Sequence, residues 1–200
     1  MRLSCAILAG GASKRMGTDK ATLTFRKRML ISHVYEIAKK VFDEILIVTN
    51  NHRLFPGMRA RIVKDIVGYR TPIAGIVTSL LRSSSYYTFV VACDMPFVTE
   101  RGFKAIVENH NGEDIVVPKT EKGFEPLHAI YSRKCIPFFL RFLSMGCFKI
   151  QCIFPYVEVS FIEDGPHFLN GEVKVFTNIN TKEDLKRFSG WDSKERMKGI

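Results

Sequence analysis

No apolar run in this chain is long enough to cross a bilayer. The first, Leu3 to Ala9, is followed at once by glycine and preceded by Arg2 alone, which makes a poor signal peptide. A soluble, cytoplasmic protein with no membrane partner is expected. Cysteine is sparse: five residues, an odd number, with no Cys-x-x-Cys, so neither a zinc site nor a disulfide scaffold is supported. Cys5 and Cys93 read as small core residues of strands. A bond between Cys147 and Cys152 carries little weight in a reducing cytoplasm. The two commonest phosphate loops are also missing. A dinucleotide fingerprint needs Gly-x-Gly-x-x-Gly, and a P-loop ends in Gly-Lys-Ser/Thr; here the glycines fall at 10, 11 and 17 and the chain continues Thr18-Asp19-Lys20. Acidic residues are in deficit, 20 against 30 Lys and Arg, for a formal charge of +10. The basic residues are scattered and lack interleaved aromatics, which argues against nucleic acid and for small anionic ligands.

What remains is an ordinary globular composition, 46% hydrophobic and 25% charged, in 200 residues. That suits one α/β domain, taken as 1–190, with a charged tail at 191–200. Continuous apolar runs at Leu3–Ala9, Glu44–Thr49 and Tyr87–Ala92 predict strands covered on both faces, and Arg61–Asp65 a shorter one. Helical spacing predicts helices over Lys27–Val41, Pro72–Leu81, Thr99–Asn109, Lys134–Met145 and from Thr181 onward. Asp114–Pro118 and Leu127–Tyr131 are separated by too few residues for a helix and are expected to pair antiparallel or to continue a mixed sheet. Tyr156–Ile162 and Val173–Phe176 are further strands. The fold class is therefore three-layer, Rossmann-like α/β, its sheet mostly parallel with an antiparallel strand.

In such a sheet, ligands sit at the carboxyl ends of the strands. Four polar clusters fall there: the loop from Gly10 to Lys20, Thr49-Asn50-Asn51, Asp65, and Cys93-Asp94-Met95-Pro96. The first loop combines glycines, whose backbone can approach a ligand closely, with the cations Lys14, Arg15 and Lys20. It suits an oligophosphate better than an ordinary turn, although Arg15 reads almost equally as a solvated side chain. Asp94, between an apolar strand and a proline, is a natural Mg²⁺ ligand or else a turn residue. Asp65 reads equally as an acceptor for a base or ribose and as a solvated turn residue.

The stretch Leu8-Ala9-Gly10-Gly11-x-Ser13-x-Arg15-Met16-Gly17-x-Asp19-Lys20 resembles the signature of Rossmann-like nucleotidyltransferases, most closely that of molybdenum cofactor guanylyltransferases. Cys93-Asp94-Met95-Pro96 is similar to the family's Cys-Asp-x-Pro, and Thr71-Pro72-Ile73-Ala74-Gly75 to its Gly-Pro-Leu-Ala-Gly, with Thr71 and Ile73 as departures. Phe176-Thr177-Asn178-Ile179-Asn180-Thr181 with Glu183-Asp184 resembles an Asn-x-Asn-Thr-x-Glu-Asp segment on the acceptor side. Glu125-Pro126-Leu127-His128-Ala129 is also family-like, and the resemblance covers residues 3 to about 188, concentrated in five motifs.

The resemblance implies transfer of GMP from GTP to molybdopterin with release of pyrophosphate. It implies Mg²⁺ on Asp94, with Lys20 and Arg15 as catalytic cations. The nucleotide would contact Leu8, Ala9, Gly10, Gly11, Lys20, Asp65 and Asp94, and the acceptor Asn178 and Asn180. It also implies a monomer in transient contact with other molybdenum cofactor proteins. Related cytidylyltransferases carry Ala-Gly where this chain has Gly10-Gly11; the second glycine leaves room beside the base and favours guanine. CTP with molybdopterin, a nucleotide with a sugar phosphate, and a non-catalytic nucleotide-binding module are the alternatives. His128, also family-like, reads as a satisfied sheet histidine.

Overall fold

The computed structural model describes residues 2–10, 23–51, 55, 57–188 and 190. Residues 11–22 and 191–200 lie outside them. Four apolar segments form parallel strands: β1 (Leu3–Leu8), β4 (Glu44–Val48), β5 (Arg61–Val63) and β6 (Tyr87–Ala92). The second half adds β7 (Ile115–Thr120), β8 (Gly123–Phe124), β9 (His128–Ser132) and β10 (Val159–Glu163). The sheet runs β10-β7-β9-β6-β1-β4-β5, with β8 hairpinned onto β7. Only β8 and β9 run against the rest, and β9 does so by inserting between β6 and β7.

Alternation along the strands makes the three layers. Cys5 and Ile7 of β1 point into one apolar core, Ala6 and Leu8 into the other. Helices α1 (Leu30–Ala38) and α3 (Glu100–Glu108) cover the first face. Helices α2 (Pro72–Arg82) and α4 (Cys135–Ser144) cover the second, and the last helix is α5 (Lys182–Phe188). The predicted caps are present: the Thr99 hydroxyl accepts from Gly102 N at 3.0 Å, and Thr181 Oγ1 from Asp184 N at 3.0 Å. Among the described residues no helix is long and apolar enough to cross a membrane.

The structure corrects several expectations. The helix predicted from Lys27 starts at Leu30, because β2 (Thr24–Phe25) and β3 (Arg28–Met29) form a hairpin first. Its two-residue turn puts Arg26 at φ 50° and Lys27 at φ 62°, left-handed positions usually held by Asn or Gly. Residues Ile150–Tyr156 form a 3-10 turn, so the next strand begins at Val159 rather than at Tyr156. Val173–Phe176 is reduced to β12 (Val173–Lys174), paired only with β11 (Leu169–Asn170). Cys147 and Cys152 are joined in a disulfide.

His128 is the most instructive correction. It is fully buried in the first core, and among the described residues neither ring nitrogen has a hydrogen bond of ordinary geometry. Phe89, Phe103 and Phe176 surround it at 5.2 Å between ring centroids. Burial pushes its pKa down to about 3, with the Gly102 backbone opposing that shift. The unfolded histidine binds a proton near pH 6.5, so the folded state loses stability as pH falls from there towards 3. At about 1.4 kcal/mol per unit, and with the unfolded histidine already half protonated at pH 6.5, going to pH 4.5 removes about 2 kcal/mol through this residue. Urea midpoints for wild type and His128→Leu should therefore diverge on acidification, the variant losing less. Parallel losses in the two proteins would show that His128 is not the sensor.

Candidate active site

The carboxyl ends of β1, β4 and β5 and the start of α2 enclose a cavity of about 360 Å³. Backbone bonds splay the strand ends around it. Ala9 N donates to Val48 O at 2.8 Å and Thr49 N to Val63 O at 2.9 Å, after which each chain leaves the sheet. Leu8, Ala9 and Gly10 form one wall, and Thr49, Asn50 and Asn51 another. Thr49 is buried, and its hydroxyl accepts from Asn51 N at 3.1 Å, which folds the polar cluster back over the strand end.

Asp65 lines the same cavity and is not a loosely solvated turn residue. Its Oδ1 accepts from the buried Thr78 hydroxyl at 2.9 Å and from Val67 N at 3.0 Å, and Thr78 Oγ1 in turn accepts from Ile66 N at 3.2 Å. One oxygen is thus anchored on α2, which orients the other for a donor such as a ribose hydroxyl or a base N–H.

Helix α2 closes the cavity. Thr71 caps it, accepting from Ala74 N at 3.4 Å, and Pro72 occupies the first turn without wasting a donor. The family-like glycine at position 75 lets α2 approach β1: a Cβ there would lie 3.1 and 3.2 Å from the Leu8 methyls. The substitution of Thr71 for the motif's Gly is accommodated because a β-region N-cap suits threonine.

Asp94 sits beside this cavity, at the end of β6. Cys93 N donates to Leu8 O at 3.1 Å, tying the Asp94 turn to the cavity wall. On its other flank Ala92 N donates to Leu127 O at 3.1 Å, and Ile179 N to Asp94 O at 2.9 Å. The carboxyl edge therefore runs from the cavity, past Asp94, to the segment carrying Asn178 and Asn180. The Asn180 and Thr181 N–H groups both donate to Asp184 Oδ2 at 2.9 Å, so the helix cap accounts for Asn180's backbone, while Asn178 Oδ1 is buried without a partner among the described residues.

The structure thus brings Leu8, Ala9, Gly10 and Asp65 to one cavity and sets Asp94, Asn178 and Asn180 alongside. Gly11, Arg15 and Lys20 lie outside the described residues. Two contributors went unread in the sequence. Arg70, exposed on the cavity rim, is one residue before a helix cap, and a cation at that place was the available signal. Thr78, a hydroxyl on an otherwise apolar helix face, could have been flagged as a partner for a buried polar group. Among the described residues no three His, Cys, Asp or Glu side chains cluster to hold a metal by themselves. Asp94 as one hard oxygen donor, completed by substrate phosphates, is a donor set that suits Mg²⁺.

Comparison with known proteins agrees with this geometry. The family described as the MobA-like NTP transferase domain matches residues 5–150. A molybdenum cofactor guanylyltransferase of Desulfosudis oleivorans is 35% identical, over 90% of this chain and 91% of the relative. A probable molybdenum cofactor guanylyltransferase of Methanosarcina mazei is 34% identical, over 97% and 92%. Among solved structures, molybdopterin-guanine dinucleotide biosynthesis protein A of Archaeoglobus fulgidus superposes with a TM-score of 0.76 at 26% identity, over 92% of this chain and 95% of that one. The chain belongs to the MobA-like NTP transferase family.

Proposed function

We propose that the protein transfers GMP from GTP to molybdopterin, forming molybdopterin guanine dinucleotide and releasing pyrophosphate. The observation that supports this reading is the cavity at the ends of β1, β4 and β5, with a pre-oriented carboxylate in its wall and the Asp94 turn tied to that wall. The guanine lies against Leu8–Gly10 and Gly75, and Asp65 fixes the nucleoside. Gly11, next in the chain, carries no side chain to compete with the purine. Lys20 and Arg15, in the loop that follows, neutralise charge developing on the attacked α-phosphate. The acceptor's terminal phosphate approaches from the Asn178 and Asn180 side and attacks in line. Asp94 would hold a Mg²⁺ ion, which supplies charge neutralisation on the phosphates when bound. No covalent enzyme intermediate is needed, so positioning and electrostatics carry the acceleration. One domain over residues 1–190, working as a cytoplasmic monomer in transient contact with other molybdenum cofactor proteins, completes the proposal.

The test is pyrophosphate release with GTP, CTP, ATP and UTP, each with and without molybdopterin and Mg²⁺. The reading expects GTP with molybdopterin to be the productive pair, with a dinucleotide product of the matching mass. Turnover with CTP instead, or with UTP and a sugar phosphate, would overturn it.

A further inference from the structure

Glu125 lies in the turn between β8 and β9, half-buried, and its side chain makes no hydrogen bond or ion pair among the described residues. Its backbone is fixed instead: Glu125 N donates to Pro118 O at 2.9 Å, and Glu125 O accepts from His128 N at 3.0 Å. Nearby acids are paired. Asp164 is neutralised by Lys174, and Glu163 by Lys119. Lys122 and Asp164 are the charged groups that act on Glu125, in opposite senses, while burial raises its pKa to about 7. A half-buried carboxylate with no donor among the described residues is free to accept from a ligand that supplies one.

Its place narrows the ligand. Leu127 O accepts from Ala92 N, two residues before Asp94, so Glu125 lies on the same carboxyl edge, on the side away from the guanine cavity. The order β7-β9-β6 puts the Asp94 turn over β6 and the Glu125 turn between β7 and β9, one to two strand spacings apart, on the order of 5–10 Å. A fused ring system joined to a phosphate by a short arm spans such a gap with its phosphate at Asp94. A 2-amino-4-oxo pteridine presents two adjacent N–H donors, at N3 and the 2-amino group, at its far end. A carboxylate accepts both at once, and Asn178 Oδ1, buried and unpartnered among the described residues, is a further acceptor on the same flank.

We propose that Glu125 reads the acceptor, its carboxylate accepting the N3–H and 2-amino N–H of the pterin ring. This rests on the guanylyl-transfer reading above. The experiment compares wild type, Glu125→Gln and Glu125→Ala. Turnover is measured with GTP and molybdopterin held anaerobically. Binding is measured separately by competition with 6-hydroxymethylpterin phosphate and its 2-oxo counterpart, 6-hydroxymethyllumazine phosphate. Losing a paired, charge-assisted contact should raise the molybdopterin KM about 10–100-fold in Glu125→Ala, less in Glu125→Gln, with kcat and GTP affinity held within about twofold. Wild type should prefer the pterin over the lumazine phosphate by about tenfold or more, and Glu125→Ala should lose that preference. An unchanged preference in Glu125→Ala, with wild type active, overturns the role of Glu125 alone. A wild type inactive on molybdopterin yet turning over another acceptor overturns the parent reading and this one with it.

Discussion

Replacing Asp94 with alanine should lower the rate of guanylyl transfer by about 10²–10³-fold, the usual effect of removing one preorganised charge-stabilising group. The turn that carries Asp94 is held by its backbone: Cys93 N to Leu8 O, and Asp94 O from Ile179 N. Neither bond needs the carboxylate, so circular dichroism and thermal midpoint should stay close to wild type. The loss should fall on kcat, because the nucleoside cavity lies between other strands and keeps its walls. Raising Mg²⁺ should restore little, since a water ligand carries no charge to hold the ion against the phosphates. Stopped-flow pyrophosphate release over a Mg²⁺ series checks this. An Asp94→Ala protein with wild-type turnover would remove the residue from the mechanism.

Gly75→Val should weaken GTP binding about 10–100-fold without unfolding the protein. Already a single Cβ at this position lies 3.1 and 3.2 Å from the Leu8 methyls, tighter than an ordinary contact. Leu8 forms the cavity wall, so its side chain is the element that yields, and it yields into the space for the base. Overpacking of this kind costs about 1–3 kcal/mol, and here that cost falls largely on the ligand. Gly75→Ala is the graded control. Its methyl is accommodated by a small shift of Leu8, and alanine favours the helix by up to about 1 kcal/mol relative to glycine. It should keep or gain thermal stability while losing only a few-fold in affinity. Fluorescent-GTP titration and thermal unfolding on the same samples separate the two effects. Equal affinity in wild type and Gly75→Val would show that the base does not lie against Leu8.

The parallel half of the sheet was readable because its signal is local. Runs such as Ile45–Val48 and Phe89–Ala92 are apolar at every position, as strands covered on both faces must be. The polar residues closing them then fall at one edge by topology alone, which is why Asp65 and Asp94 could both be read as lying on the carboxyl edge of the sheet. What escaped was decided by partners distant in sequence or by unusual backbone. Nothing in Arg26-Lys27 announces a hairpin turn, since neither residue favours positive φ. Ile150 and Ile153 carry too short a pattern to mark a 3-10 turn. The orientation of Asp65 depends on Thr78, which comes close only once α2 packs on the sheet. His128 was expected to be satisfied because buried polar groups usually are, yet four phenylalanine rings enclose it and, among the described residues, its nitrogens find no hydrogen bond of ordinary geometry. Nothing in the sequence likewise shows that the Glu125 carboxylate has no partner among the described residues.

The central claim is a place: guanine between β1 and α2, with the phosphates running towards Asp94. A crystal structure of the protein with Mg²⁺ and a non-hydrolysable GTP analogue tests it most directly. The base is expected against Leu8–Gly10 and Gly75, a ribose or base group on Asp65, and the metal on the Asp94 carboxylate. A base seated on the β7–β10 side of Asp94, or a metal bound away from it, would contradict the account.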